Sequence, residues 1–584
     1  MKKRFLLIAL LSSTFILSSC SNPVDPNPPI DDPNGNQTEL SFQIKIVGEG
    51  SVKAYLNGVE ITPENFSENV ETGDVITLVI QPNSGYILSN VLLNDTVLAR
   101  NGTTYTFTVQ EGKNVLTVNF TEVTTNETDF SYEILNDNEV AITGFKNSLS
   151  TMPNPVIIPD EATINGKTYK VTTLNSSVFS NQDIVGLKIG KNVTTINSQA
   201  FNGMRSLKEF IVDEENLSFK SLDGILYDYD ETSLVKMPIA YKDKSVNIQE
   251  GTTDILDYAF NDCLNTTSVT LPEGLKSIGD YAFTDATSLS TINFPSTLES
   301  IGDYAFRNIH AIKNVVLDES LTHLGVGAFY QSSIESITFP SSLKEIPLYS
   351  FYFCRSLETV NFSEGLEIIG EQSFISTSVT SLDFPNSLKT IDVGAFELCS
   401  YLVNVQFNEG LETIGNFAFS RANNITSISL PASLTTIGYN PFSGITRLGY
   451  GDNFKVDSNN PNFEVIDGVL YTKGAERRLL CYPFGKLGTE YHIIDGTTYI
   501  DVDSFAYQNN VLEIYLPTSI TDINSAFIVM YSEINEKPSL TLYYAGTIEE
   551  FKKIDLHGEL GSWHEDTTLT NNEVICSDGT LNVN

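Results

Sequence analysis

Cations are scarce in this chain. Lysine and arginine total 34 against 73 aspartates and glutamates, a net charge of −39 over 584 residues. Nucleic-acid binding needs clustered cations that displace counterions from phosphate, and there is no basic run outside the first four residues. Charge therefore argues against nucleic acid as a partner, and anionic headgroups should repel such a surface. Tryptophan occurs once and histidine five times, at His310, His323, His492, His557 and His564. None of these forms an HExxH pattern. His557 and His564, with Glu565 and Asp566 nearby, read as exposed side chains rather than ligands, so neither a metal nor a cofactor is expected. With no GxSxG elbow and no local Ser/His/Asp cue, no catalytic residue is assigned and no enzyme is expected. Asn165-Gly166-Lys167-Thr168 ends like a phosphate loop, but Glu161 stands where the first glycine must be.

Long hydrophobic runs are also rare. The first is Phe5–Leu17, preceded by Lys2, Lys3 and Arg4, and it is too short for a span of ~20 residues. It ends in Leu17-Ser18-Ser19-Cys20, which resembles a bacterial lipobox. The resemblance implies a signal peptide over 1–19 and lipid on the Cys20 thiol, the chain's only membrane anchor. Residues 20–39 follow as a tether rich in Pro, Asn and Asp with no apolar run, expected to be extended.

What is present is β-strand pattern. Between 40 and 124, stretches such as DVITLVIQP and NVLTVNFTEV alternate or run in β-branched and aromatic residues between Gly, Asn, Asp and Pro. This predicts a small all-β module. Gly48-Glu49-Gly50-Ser51-Val52, the Gly73–Tyr86 turn and the closing VLTVNF resemble internalin-type B-repeat modules of bacterial surface proteins, which implies a spacer without catalytic residues.

Beyond residue 129 the chain repeats itself. Phenylalanine recurs at 179, 201, 260, 283, 306, 329, 351, 374, 396, 419, 442, 505 and 527, and ten of the twelve spacings are 22 or 23. Such a period marks a solenoid. In the unit Leu289–Phe306, LxxIxF predicts a short strand and Pro295 ends it. Leu298 and Ile301 predict a second edge, Gly302 a tight turn, and Ala305-Phe306 an inward plug. About 13 coils are expected.

The IGxxAFxxCxxL pattern is similar to the leucine-rich repeats of the BspA-like family of bacterial and protist surfaces. The family lacks the asparagine ladder of ordinary leucine-rich repeats, and proline follows the strand here as well. The resemblance implies a mainly β fold: a right-handed leucine-rich-repeat solenoid of 22–23-residue coils with two hairpin insertions, preceded by a small all-β domain. The expected boundaries are an N-terminal cap over 129–172, the solenoid over 173–538 and a C-terminal cap over 539–584. The insertions fall at about 212–247 and 449–492, where Asp223-Gly224 and Asp467-Gly468 mark two copies of one sequence that look like hairpins leaving the coil.

Three sets of residues invite a functional reading. Cys263, Cys354 and Cys399 each lie three residues after a repeat phenylalanine, where other coils have Met204, Ala286, Ile309, Ser332, Thr377 or Ala422. That is a small core slot, and Cys354 and Cys399, ~10 Å apart at ~5 Å per coil, are too distant for a disulfide. The outward strand positions Thr270, Asn293, Val316, Thr338, Asn361, Asp383, Gln406 and Ser429 are mostly short and uncharged. They read either as a sheet surface or as a flat protein-binding face, without the aromatics a sugar-binding sheet usually offers. Tyr258, Tyr281 and Tyr304 share one slot in successive coils, either as half-buried consensus or as a contact stripe.

The expected role is that of a lipid-anchored, outward-facing cell-envelope protein. The resemblance implies adhesin-like, non-catalytic recognition of an extracellular protein or matrix component. A purely structural envelope protein or a polysaccharide binder is the alternative.

Overall fold

A computed structural model describes residues 40–82, 86–101, 104–122, 127–146, 155–180, 183–502, 504–505, 511–524, 540–557 and 569–582. Cys20, the tether, Phe527 and His564 lie outside them. The chain divides into two compact units.

The first unit holds the predicted β module. Ser41–Val47 runs parallel to Lys113–Glu122, in a sheet with Tyr86–Leu93 and Thr96–Val97. A second sheet orders Val59–Ile61, Gly50–Leu56, Val75–Pro82, Thr104–Thr108 and Arg100–Asn101 antiparallel. Alternation along Val75–Pro82 sends Ile76 and Leu78 inward. The core rings of Phe66 and Phe107 lie 4.8 and 5.9 Å from that of Phe42.

The second unit is a β-solenoid of about 15 turns, more than the 13 that the phenylalanine count suggests. The difference arises because cap and insertion strands join the ladders. In the N-terminal cap Lys167–Leu174 pairs with Glu139–Phe145 and Glu161–Ile164, then passes its edge to Thr195–Ile196 of the first coil. The insertion strands Phe219–Leu222, Ile225–Asp228 and Ser233–Lys236 are antiparallel among themselves, and the last pairs in parallel with Asp254–Ile255. Phe463–Ile466, Val469–Thr472 and Arg477–Cys481 repeat the arrangement against Thr497–Ile500. The inserted hairpins therefore do not leave the coil. They are spliced into its ladder, because Tyr227 and Tyr471 are large, fully buried rings that need neighbours on both sides.

Two strand ladders run along the coils. LxxIxF supplies one, as in Ser245–Asn247, Ser268–Thr270 and Thr291–Ile292. The IG edge supplies the other, from Asp254–Ile255 through Ser277–Ile278 and Ser300–Ile301 to His323–Leu324. A third set of bonds joins the turns. Tyr258, Phe260 and Asp262 donate their N–H groups to the carbonyls of Asp280, Ala282 and Thr284 in the next coil. For alternate N–H groups to point the same way, residues on either side of the phenylalanine adopt left-handed conformations: φ is +59° at Tyr258 and +61° at Asp262.

From Phe260 to Phe442 the repeat phenylalanines form a continuous internal stack. Ring centroids are 4.6 Å apart for Phe260–Phe283, 5.1 Å for Phe283–Phe306 and 5.3 Å for Phe306–Phe329. Each ring is covered by the next, so no single coil can bury its own plug.

One expectation needs correction. Gly302 does not serve a left-handed turn: that conformation belongs to Tyr304, at φ +52°. Glycine is required because the coils touch there; a Cβ on Gly302 would sit 2.7 Å from the Asp280 backbone nitrogen, and one on Gly325 2.3 Å from the Gly302 carbonyl carbon. A side-chain ladder also exists, built on aspartate. Asp257 Oδ1 accepts the Asp280 N–H at 2.9 Å, Asp280 Oδ1 that of Asp303 at 2.7 Å, and Asp303 Oδ1 that of Val326 at 2.7 Å. These acids satisfy backbone donors that the close approach leaves without carbonyl partners.

Candidate binding site

The tyrosine slot lies two residues before each plug. Tyr258, Tyr281 and Tyr304 are all half-buried. Their rings stack along the solenoid, 4.9 Å from Tyr258 to Tyr281 and 5.3 Å from Tyr281 to Tyr304. The Tyr258 hydroxyl accepts from Gln199 Nε2 at 2.8 Å, and the buried Lys236 donates to the Tyr258 carbonyl at 2.6 Å. These contacts fix the first ring.

The stripe does not end at the third ring. The next coil has Gly327 in the slot, and a Cβ there would strike the Tyr304 ring at 2.4 Å. Tyr349 resumes the slot one coil later, and Tyr330 and Tyr352, each directly after a plug phenylalanine, flank the gap. Ring packing changes at this point. Tyr304 meets Tyr330 edge-to-face at 5.8 Å and 62°, and Tyr349 meets Tyr352 at 5.2 Å and 84°. Tyr330 and Tyr352 remain parallel, 4.8 Å apart. Glycine there admits the Tyr304 ring, and the turned rings leave a cavity of about 450 Å³ lined by Tyr281, Tyr304, Arg307, Tyr330, Tyr349 and Tyr352.

Arg307 is the cation in this cavity. Its guanidinium lies 6.0 Å from the Tyr330 ring centre, and its buried Nε has no hydrogen-bond partner among the described residues. Burial raises the pKa of Tyr281, Tyr304 and Tyr352 above the ordinary phenol value. Those hydroxyls therefore stay protonated at neutral pH and can donate as well as accept.

Left-handed backbone makes these side chains conspicuous. φ is +59°, +55°, +52° and +60° at Tyr258, Tyr281, Tyr304 and Tyr349, whereas other coils place Gly327, Gly394 or Asn440 in the same slot. Glycine and asparagine are the low-strain choices there. Tyrosine is thus not demanded by the turn.

The strand face is plainer. Thr270, Asn293, Asn361, Asp383, Gln406 and Ser429 are exposed, Thr338 is half-buried, and Val316 is 66% exposed. Several of the polar groups serve the sheet itself: Asn293 bonds both the N–H and carbonyl of Leu271, and Asn361 donates to Thr338 Oγ1 at 3.0 Å. Farther along, the corresponding strand positions of later coils do carry rings. His492 stacks on Tyr515 at 4.0 Å and Tyr515 on Tyr543 at 4.5 Å. Asp522, Asp555 and His557 also gather, with ligand atoms within 4.8 Å of one another, and His557 Nε2 lies 3.4 Å from Asp522 Oδ1. The sequence groups His557 with His564; the fold sets it beside its near neighbour Asp555 and beside Asp522 from another segment.

Residues missed by sequence reading are Arg307, Tyr330, Tyr349 and Tyr352. Tyr349 was findable, since it occupies the tyrosine slot once Gly327 is passed over. The other three lie one residue after a plug, and no sequence period singles them out.

The repeat geometry agrees with comparison to known families. The model for BspA-type leucine-rich repeats matches in six copies, over residues 162–223, 241–349 and 322–449. Over those residues the solenoid carries BspA-type leucine-rich repeats. A divergent InlB B-repeat domain matches residues 52–124, which overlap most of the first unit's strands. Proteins with BspA-type repeats are typically bacterial surface proteins. Among the described residues no helix is long and apolar enough to cross a membrane.

Solved structures similar to this chain include a leucine-rich repeat protein from Bacteroides ovatus, 23% identical, covering 56% of this chain and 98% of that one with a TM-score of 0.30. The pneumococcal vaccine antigen PcpA is 17% identical, covering 78% and 98%, with a TM-score of 0.31. A leucine-rich repeat protein from Eubacterium ventriosum is 21% identical with a TM-score of 0.31; the match covers 47% of this chain and spans 62% of that protein's length. A comparison with curated proteins finds no match.

Proposed function

We propose that this chain is a lipid-anchored bacterial surface protein, adhesin-like and non-catalytic, whose BspA-type array recognises an extracellular protein or matrix partner. The tyrosine-lined cavity around Gly327 carries the reading. Five phenol side chains and one guanidinium converge on it, three of the phenols, those of Tyr281, Tyr304 and Tyr349, from positions where the left-handed backbone favours smaller residues. Tyrosine offers a large contact area with a polar tip at low conformational cost, which suits recognition rather than turnover. The anchor is the Cys20 thioether lipid, with residues 20–39 as tether and the B-repeat-like module as spacer. Weak contacts would be multiplied by many copies on one surface. The ring cluster also favours a saccharide partner over a purely structural envelope role.

The test is binding of the full chain to intact cells and to immobilised matrix proteins at low and high salt. Tyr281→Ser combined with Tyr304→Ser should weaken binding with little change in melting temperature. If binding is unchanged while the melting temperature falls, the rings are structural filler and this reading is wrong.

A further inference from the structure

We infer that the tyrosine-lined cavity is a subsite for a carboxylate-bearing pyranose, such as a hexuronate unit of an extracellular glycan, with Arg307 as the carboxylate partner. This deepens the proposed recognition role and rests on it.

The cavity's chemistry is one-sided. Its wall is aromatic, its rim carries phenol hydroxyls, and its lining contains one cation and no carboxylate. In a chain of net charge −39, most cations have acids nearby, and several pair directly, as Lys389 does with Glu367 at 2.7 Å. The Arg307 Nε is instead buried without a partner. That nitrogen is closed off from solvent, so a ligand in the cavity meets the terminal nitrogens of the guanidinium, whose paired N–H groups match the two oxygens of a carboxylate.

The rest of the cavity specifies what carries that carboxylate. A pyranose has a C–H face that packs on an aromatic ring and an equatorial fringe of hydroxyls that reaches polar groups at the ring edges. The edge-to-face rings of Tyr304 and Tyr330, and of Tyr349 and Tyr352, offer both kinds of surface within one cavity. About 450 Å³ is ligand-sized, within the ~300–1,000 Å³ of small-molecule sites. An aspartate or glutamate side chain from a peptide would reach the guanidinium but leave most of that space unfilled. A densely charged polyanion would be repelled by the acidic surface, which favours isolated carboxylates on an otherwise neutral ring.

Gly327 is the positioning residue. The slot is occupied by tyrosine on either side of it, and a Cβ there would strike the Tyr304 ring at 2.4 Å, so glycine is what lets that ring lie where it lines the cavity.

The experiment is calorimetric and saturation-transfer NMR titration of the full chain in detergent. The probes are sodium glucuronate, glucose, glucose 6-sulfate and N-acetylglutamate. Glucuronate should bind best. Arg307→Gln should lower its affinity about tenfold or more and leave that of glucose unchanged. Arg307→Lys, which keeps the charge and loses the fork, should also bind glucuronate more weakly, and Tyr352→Ser should weaken both sugars. Melting curves establish that each variant is folded, and Arg307→Lys stands in should Arg307→Gln unfold. Equal affinity for glucose and glucuronate, or an Arg307→Gln variant that binds normally, overturns the carboxylate assignment. Tighter binding of glucose 6-sulfate does the same in favour of sulfate. N-acetylglutamate binding as tightly as glucuronate overturns the saccharide class in favour of acidic peptides. If no sugar binds but Tyr281→Ser with Tyr304→Ser still abolishes cell binding, the ligand class falls and the recognition role stands. If glucuronate binds as described but cell and matrix binding ignore every cavity variant, the recognition role falls instead.

Discussion

The Cys354 thiol donates to the Phe329 carbonyl of the preceding coil at 2.9 Å, and Ser332 makes the same bond to Phe306 at 2.6 Å. Cys399 repeats it to Phe374 at 3.1 Å. The slot three residues after each plug is therefore a place for a small, buried group that can tie itself to the coil below. Cysteine there is a hydrogen-bonding core residue: the thiols at 263, 354 and 399 are free and buried.

Alkaline pH should expose this burial. Loss of solvent pushes the thiols of Cys263 and Cys354 up to about 12 and that of Cys399 up to about 11. A folded-state value above the unfolded one means the stabilisation is complete below the ordinary thiol value of ~8.5. It is lost progressively as pH rises from there through about 11 to 12. Cys354→Ser keeps a donor for Phe329 and removes one titrating group. The melting temperature of this variant should therefore fall less steeply than that of the parent between pH 8 and 11, as read by circular dichroism. Parallel curves would show that Cys354 does not titrate differently in the two states.

Phe306 sits between two parallel rings, 5.1 Å from Phe283 and 5.3 Å from Phe329. Phe306→Ala should cost ~3–5 kcal/mol, lowering the urea midpoint of the array, whereas Phe306→Leu should cost much less. A loss under ~1 kcal/mol for the alanine variant would mean the coils collapse around the gap and the stack is not what holds them.

Two glycines should respond in opposite degree. A methyl at Gly325 would lie 2.3 Å from the Gly302 carbonyl carbon and 2.4 Å from the Asp303 nitrogen, backbone atoms of the preceding coil that cannot swing aside. Gly274 has φ +106° but nothing within 4 Å of its would-be Cβ. Gly325→Ala should separate adjacent coils and destabilise severely. Gly274→Ala should incur only backbone strain, of order ~1–3 kcal/mol. Thermal melts of the two variants side by side check the ranking, and the reverse order would refute the close-contact account of the IG glycine.

The anchor gives a fourth test. Cys20→Ala should move the protein from the membrane fraction to the soluble fraction on centrifugation. Retention in the membrane would mean that something other than Cys20 holds it there.

The sequence by itself determined the solenoid. A 22–23-residue period in a large aromatic admits few other solutions, because a plug of that size must be covered from above and below, and only stacked copies do so. Strand positions, the IG edge and the doubled insertions were all legible for the same reason: repetition shows which residues share an environment. The tyrosine slot was legible too, as far as Tyr304. What the tertiary structure alone decided was how side chains meet between coils. Gly302 reads as a turn residue in one dimension, and only the approach of the next coil shows that it is a spacer. Arg307, Tyr330 and Tyr352 belong to no repeat consensus. They become a site because Gly327 lets the Tyr304 ring lie across the neighbouring coil and the rings turn there, so that residues up to 71 positions apart along the chain line one cavity. A period reports what every coil has in common, whereas this cavity is made where neighbouring coils differ.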